Sequence, residues 1–156
     1  MNTDRQMFED RIEMLLAHRG NPSVDSEAFQ KMDQHQKRMA SLFMLENEVS
    51  HGGFSRAYFN QTEELGSIAA DAYEAIGANE HARVVRQSLE AAKKQAESEK
   101  ASMSSGSMMT MSEEHIKSGY AAVDKAWASI SGIDTASKKY DYMKQNSKSF
   151  GIVLPK

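Results

Sequence analysis

Between Pro22 and Pro155 the chain carries no proline, and along that interval apolar residues recur at three- and four-residue steps. Proline is the residue a helix interior tolerates least, because its ring removes a backbone hydrogen bond and clashes with the preceding turn. A long proline-free stretch with a period near 3.6 residues is the pattern of a helical chain. The sequence therefore predicts an all-α fold of about seven helices with no β-sheet. The one β-branched and aromatic cluster outside the helical pattern is the tail from Phe150 to Leu154.

The first helix is expected after Thr3, which can cap it together with Gln6, and it presents Phe8, Ile12, Leu15 and Leu16 on one face until Gly20 and Pro22. A second, long helix starts at Asp25 or Ser26 and carries Phe29, Met32, Met39, Leu42, Phe43 and Val49 as far as Gly52-Gly53. The two glycines allow positive φ, so they read as the end of that helix and a sharp turn. Phe54, Tyr58 and Phe59 follow as an aromatic anchor on a short helix. Thr62 is the expected cap of the next, with Glu63 and Glu64 at its positive end, Leu65, Ile68, Ala69, Ala72, Tyr73 and Ile76 on its apolar face, and Gly77 as its stop.

Asn79 opens a fifth helix on Ala82, Val85, Leu89 and Ala92, whose charged end, Lys93 to Lys100, should project into solvent. A sixth restarts at Ser112 with Ile116, Tyr120, Val123, Trp127 and Ile130. A last one from about Thr135 buries Ala136, Tyr140 and Met143. Residues 1–156 read as a single helical domain with a flexible Ser/Met-rich loop at 101–111 and an apolar tail, 150–155, that must pack against something.

The composition narrows the chemistry. There is no cysteine, which excludes disulfides, thiolate nucleophiles and cysteine-held metals, and the N-terminus lacks a signal-peptide pattern, so a cytoplasmic setting is expected. No apolar run is long enough for a membrane span. Gly-x-Ser-x-Gly, phosphate-loop and dinucleotide patterns are missing, and no cofactor is expected. The five histidines are scattered without metal-ligand spacing, each reading as a surface or helix-terminal residue, so no metal site is expected. Met103, Met108, Met109 and Met111 crowd the loop; thioethers can bind Cu(I), but their irregular spacing reads as a loop rather than a copper site. Lys93, Lys94 and Lys100 have no interleaved aromatics, which argues against direct nucleic-acid binding.

The net charge of −3 hides a regional imbalance. Residues 44–80 hold seven acids (Glu46, Glu48, Glu63, Glu64, Asp71, Glu74, Glu80) against one base, Arg56. Residues 29–43, 81–101 and 102–156 each come out at +2.

Within the acidic region lies Leu45-Glu46-Asn47-Glu48-Val49-Ser50-His51-Gly52-Gly53-Phe54, followed by Tyr58-Phe59-Asn60 and Ala75-Ile76-Gly77-Ala78. Over roughly residues 40–90 this resembles the all-helical DNA-mimic protein family, most members of which are known only as a domain of unknown function. The resemblance implies a helical fold. For the best-described type of member it also implies dimers whose acidic surface imitates the DNA phosphate backbone and occupies a DNA-binding regulator. The net charge is modest for such a role, since a mimic needs carboxylates spaced to replace successive phosphates.

Two readings of these residues stand side by side. Glu46, Glu48, Gly52, Gly53, Phe54, Phe59 and Asn60 can be structural, the glycines turning the chain, the phenylalanines filling a core and the acids taking up backbone amides. Glu63, Glu64, Asp71, Glu74 and Glu80 can be a solvated helix face or the face that meets a basic protein partner. The leading expectation is a non-enzymatic protein-interaction domain presenting that acidic surface. The alternative is a small enzyme or ligand-binding domain with Glu46, Glu48, His51 and Asn60 lining a pocket near the Gly52-Gly53 turn. A third reading is a scaffold whose tail, Phe150 to Leu154, docks into a neighbour.

Overall fold

In the computed structural model, residues 3–16, 23–104 and 113–152 are described. They form eight α-helices and no strand: α1 (Thr3–Leu16), α2 (Glu27–Gln30), α3 (Gln34–Asn60), α4 (Glu63–Ala75), α5 (Asn79–Ser104), α6 (Glu113–Ser129), α7 (Ala136–Gln145) and α8 (Ser147–Phe150). The expected cap at Ser112, the loop methionines 108–111 and the end of the tail lie outside the described residues, as do Gly20 and Pro22.

The expected second helix is two. Ser26 caps the short α2 by accepting the Phe29 amide at 3.2 Å, and the chain then restarts at Asp33. There Asp33 accepts the Gln36 amide at 2.9 Å while Gln36 returns its side-chain oxygen to the Asp33 amide, also at 2.9 Å. This reciprocal box satisfies two amides that a helix start leaves open, so the break falls at Met32-Asp33 despite an unbroken apolar period.

α3 itself is bent. The backbone leaves helical geometry at Gly52 (φ −174°, ψ 20°) and Gly53 (φ 74°, ψ −173°), so residues 34–51 and 54–60 are two segments meeting at a kink. The predicted turn is present, with the short aromatic helix continuing directly from it.

α5 runs back along α4, and both pack on α3. The turn between them is closed by Gly77 at φ 77°, with its amide on the Glu74 carbonyl and the Ala78 amide on the Tyr73 carbonyl. That paired pattern needs a left-handed residue where glycine stands. Met39, Leu42 and Leu45 of α3 meet Leu65, Ala69 and Tyr73 of α4 and Val84 and Val85 of α5 in a core where each of these side chains is fully buried. α6 lies along α5 and crosses α3, placing Trp127 edge-on to Phe54 at 5.4 Å. α1 packs against α7 and α3 through Phe8, Ile12 and Leu16.

Several local expectations need correction. The Thr62 side chain makes no capping bond to α4, its backbone lying at φ 158° and ψ 166°, outside ordinary cap geometry. α5 continues through Ser104, so residues 101–104 belong to a helix rather than to the loop. In α7 the buried tyrosine is Tyr142, whereas Tyr140 is half-buried beneath the Lys144 ammonium at 4.8 Å. Phe150 is buried in α8 and Ile152 packs on the core, so this part of the tail docks within its own chain.

Candidate functional site

Several residues of the family-like motif make contacts within the chain around the kink. Gly53 brings its backbone so close to α6 that an added Cβ would lie 2.7 Å from a carboxylate oxygen of Asp124. The same carboxylate accepts the Phe54 amide at 2.9 Å, capping the segment 54–60 from another helix. Burial pushes the Asp124 carboxyl above the usual carboxylate value, and the Phe54 amide partly offsets this.

Glu48 is buried and holds the segment's far end. It accepts from the Asn60 amide group at 2.9 Å and from the Arg56 guanidinium at 3.4 Å. Glu46 points to different partners: the Lys139 ammonium donates to both its oxygens at 2.6 and 2.7 Å, and the Tyr73 hydroxyl donates at 2.5 Å. Both acids are thus held by side chains, not by the backbone amides anticipated for them. Phe54 is buried as expected, but Phe59 is 91% exposed. After the kink, residues 54, 57, 58 and 61 face inward at helical spacing, which leaves 59 and 60 outward.

Glu46, Glu48, His51 and Asn60 do not gather around one cavity. His51 is exposed, with its Nδ1 2.6 Å from the Asn47 carbonyl, while Glu48 is engaged with Asn60. Two surface clefts of about 500 Å³ each flank α5, one against α6 over Ala91, Gly119 and Val123, the other near Arg83 and Arg86. None of the four residues lines either cleft. Among the described residues no three His, Asp or Glu side chains are grouped as metal ligands.

The other five acids are all exposed on α4 and the start of α5. On a helical projection Glu63, Glu64, Asp71 and Glu74 fall within an arc of about 100° and spread over roughly 15 Å of axis. Arg86 reaches across from α5 to Asp71 at 3.0 Å and to Glu74 at 2.9 Å, and Arg83 pairs with Glu80 at 2.9 Å. The bonds to Asp71 and Glu74 hold the Arg86 guanidinium above its ordinary pKa. Glu63 and Glu64 have no cationic partner among the described residues, and they follow the exposed Phe59 by a few positions in the chain.

Sequence reasoning missed Lys139, Tyr73, Asp124 and Arg86 as polar partners, and His81 as a core residue. His81, expected as a surface or helix-terminal residue, does lie in the first turn of α5 but is buried between the rings of Tyr73 and Trp127. Lys139 shares the inward face of α7 with Ala136 and Met143, and a lysine at that helical phase was the one available signal.

The sequence pattern of the family described as DMP19-like protein matches residues 30–146, from α2 through α7. The chain belongs to the DMP19-like family. The match takes in the kink, both segments of α3 and the whole α4–α5 pair, so the DMP19-like region extends well beyond the 40–90 stretch that carries the motif. No curated protein and no solved structure matches the chain. No helix among the described residues is long and apolar enough to cross a membrane.

Proposed function

We propose that this DMP19-like chain is a protein-interaction domain that presents the carboxylates of α4 and the start of α5 to a DNA-binding or other basic protein, in the manner of a DNA mimic. The observation that carries this reading is the arrangement of those acids. Five exposed carboxylates stand against two guanidiniums on adjacent helices, and Glu63 and Glu64 have no cationic partner among the described residues. DNA-binding surfaces take most of their affinity from a phosphate array, so a spaced row of carboxylates competes for the same lysines and arginines. Family membership supports the reading, and the lack of shared polar lining near the kink favours it over a pocket there.

The test starts from affinity capture in native extract and continues with the purified partner. Binding should weaken steeply with added salt, and Glu63→Lys with Glu64→Lys should weaken it at least about tenfold. Arg86→Ala, which frees Asp71 and Glu74, should strengthen it. A partner whose binding ignores both salt and these substitutions sinks the reading.

A further inference from the structure

His81 stands in the first turn of α5, shortly after Gly77, whose carbonyl accepts Lys138 of α7. The residue is 6% exposed, with the Tyr73 ring at 5.2 Å and the Trp127 ring at 5.4 Å. Its Nδ1 is buried and has no hydrogen-bond partner among the described residues. The same Tyr73 donates to Glu46, the acid that Lys139 grips from α7.

The charged and titratable groups that face His81 are Glu46 from α3, Tyr73 from α4, Glu80 from its own helix, and Lys138 and Lys139 from α7. α6 contributes the uncharged Trp127. Much of the attachment of α7 to α3 and to the α4–α5 turn is polar. Lys139 holds Glu46, Lys138 donates to the Gly77 carbonyl at 3.0 Å, and the Tyr142 hydroxyl lies 2.6 Å from His35 and 3.0 Å from Arg38. A join of this kind is sensitive to added charge.

We infer that His81 is an acid-operated release for the polar edge of α7, whose other side stays packed on α1: a proton taken from solvent by the buried imidazole sets a second cation against Glu46, and the grip of Glu46 on Lys139 loosens. Burial first, then Lys139 and Lys138, hold the His81 ring below the ordinary histidine value of 6.5, while Glu46 and Glu80 oppose this. The sign follows from that depression. With Lys138 and Lys139 docked beside it, His81 resists the proton; with them moved away, it accepts it more readily. Docking is therefore fully favoured above about pH 6.5 and loses ground as the pH falls below it.

The chain has a single tryptophan, and it touches His81, so an imidazolium there should quench its emission. The experiment follows Trp127 fluorescence and amide hydrogen exchange in residues 136–145 of the full chain from about pH 7.5 down to about 4.5. Quenching should coincide with roughly tenfold faster exchange in α7. His81→Phe, which keeps an aromatic ring but cannot titrate, should remove both changes. Lys139→Met, which removes a repelling cation and leaves Glu46 to His81, should move the fluorescence midpoint to higher pH. In the unaltered chain, the His81 ring titration read by NMR should match the exchange transition. The inference is overturned if the transition survives in His81→Phe, if the midpoint in Lys139→Met fails to rise, if α7 exchange stays constant while Trp127 is quenched, or if ring titration and exchange do not coincide.

Discussion

Asp124 on α6 accepts the Phe54 amide at 2.9 Å, joining residues seventy positions apart and giving the second segment of α3 its N-terminal cap. A helix start leaves backbone amides unsatisfied, and one of them is met here by a different helix. The kink is therefore a tertiary feature as much as a local one. Its consequences can be separated by mutation.

Gly53→Ala should lower stability by about 2–3 kcal/mol, because φ 74° with ψ −173° is a region essentially reserved for glycine and the new Cβ would also meet Asp124. Gly77→Ala should cost only about 1 kcal/mol, since its φ is also positive but a Cβ there meets nothing within 4 Å. Urea midpoints of the two variants give the comparison, and equal losses would mean that neither the glycine-only backbone region at Gly53 nor the contact with Asp124 adds to the cost.

Asp124 itself should reveal its role through pH. Its folded pKa is raised, so the folded chain holds the proton more tightly than the unfolded chain, and the burden of the buried charge, present above the folded value, is relieved as the pH falls through it. Asp124→Asn keeps an oxygen for the Phe54 amide and removes the charge. It should match or exceed the parent stability at pH 7 and lose that advantage in acid. Asp124→Ala removes the acceptor and should cost about 1 kcal/mol at pH 7. Denaturant melts across the acid range read both effects.

The Glu46–Lys139 pair should respond asymmetrically. The Lys139 side chain is 6% exposed and that of Glu46 is 32% exposed. Glu46→Ala leaves a buried ammonium without its carboxylate and should cost about 3 kcal/mol. Lys139→Met leaves a carboxylate that still receives the Tyr73 hydroxyl and retains some water, and should stay within about 1 kcal/mol of the parent. Losses of equal size would show that burial does not set the balance.

Phe54 and Phe59 differ in the same way. Phe54→Ala removes a fully buried ring set edge-on to Trp127 and should cost about 3–5 kcal/mol. Phe59→Ala should change stability by no more than about 0.5 kcal/mol, because that ring is almost entirely in water. Thermal melts distinguish the two directly.

Much of the helical layout was legible because apolar period and helix stops are local. Phe8, Ile12 and the Leu65-to-Tyr73 stripe fall where the spacing places them, and Gly52-Gly53 and Gly77 interrupt the chain where predicted. The Asp33–Gln36 box was equally local but was masked by the apolar residues running through it. Phe59 was misplaced because the three aromatics of the short helix were assigned to the core together, although counting on from the buried Phe54 turns position 58 inward and position 59 outward. The partners of Glu46 and Glu48 come from α3, α4 and α7, and Asp124 approaches from α6. Such pairings depend on how helices lie against one another, which no spacing along one helix encodes. The acids of α4 were visible as a cluster, whereas their bridging by Arg86 required the antiparallel placement of α5.

The bend at Gly53 also sets an aim. The segment 54–60 ends two residues before the start of α4, so its direction decides where the exposed Phe59 stands relative to Glu63 and Glu64. A substitution in the half-buried contact between Gly53 and Asp124 therefore rotates an outward-facing aromatic against two carboxylates while Phe59, Glu63 and Glu64 keep their identity. Surface chemistry in this protein is set in part by a half-buried joint between two helices.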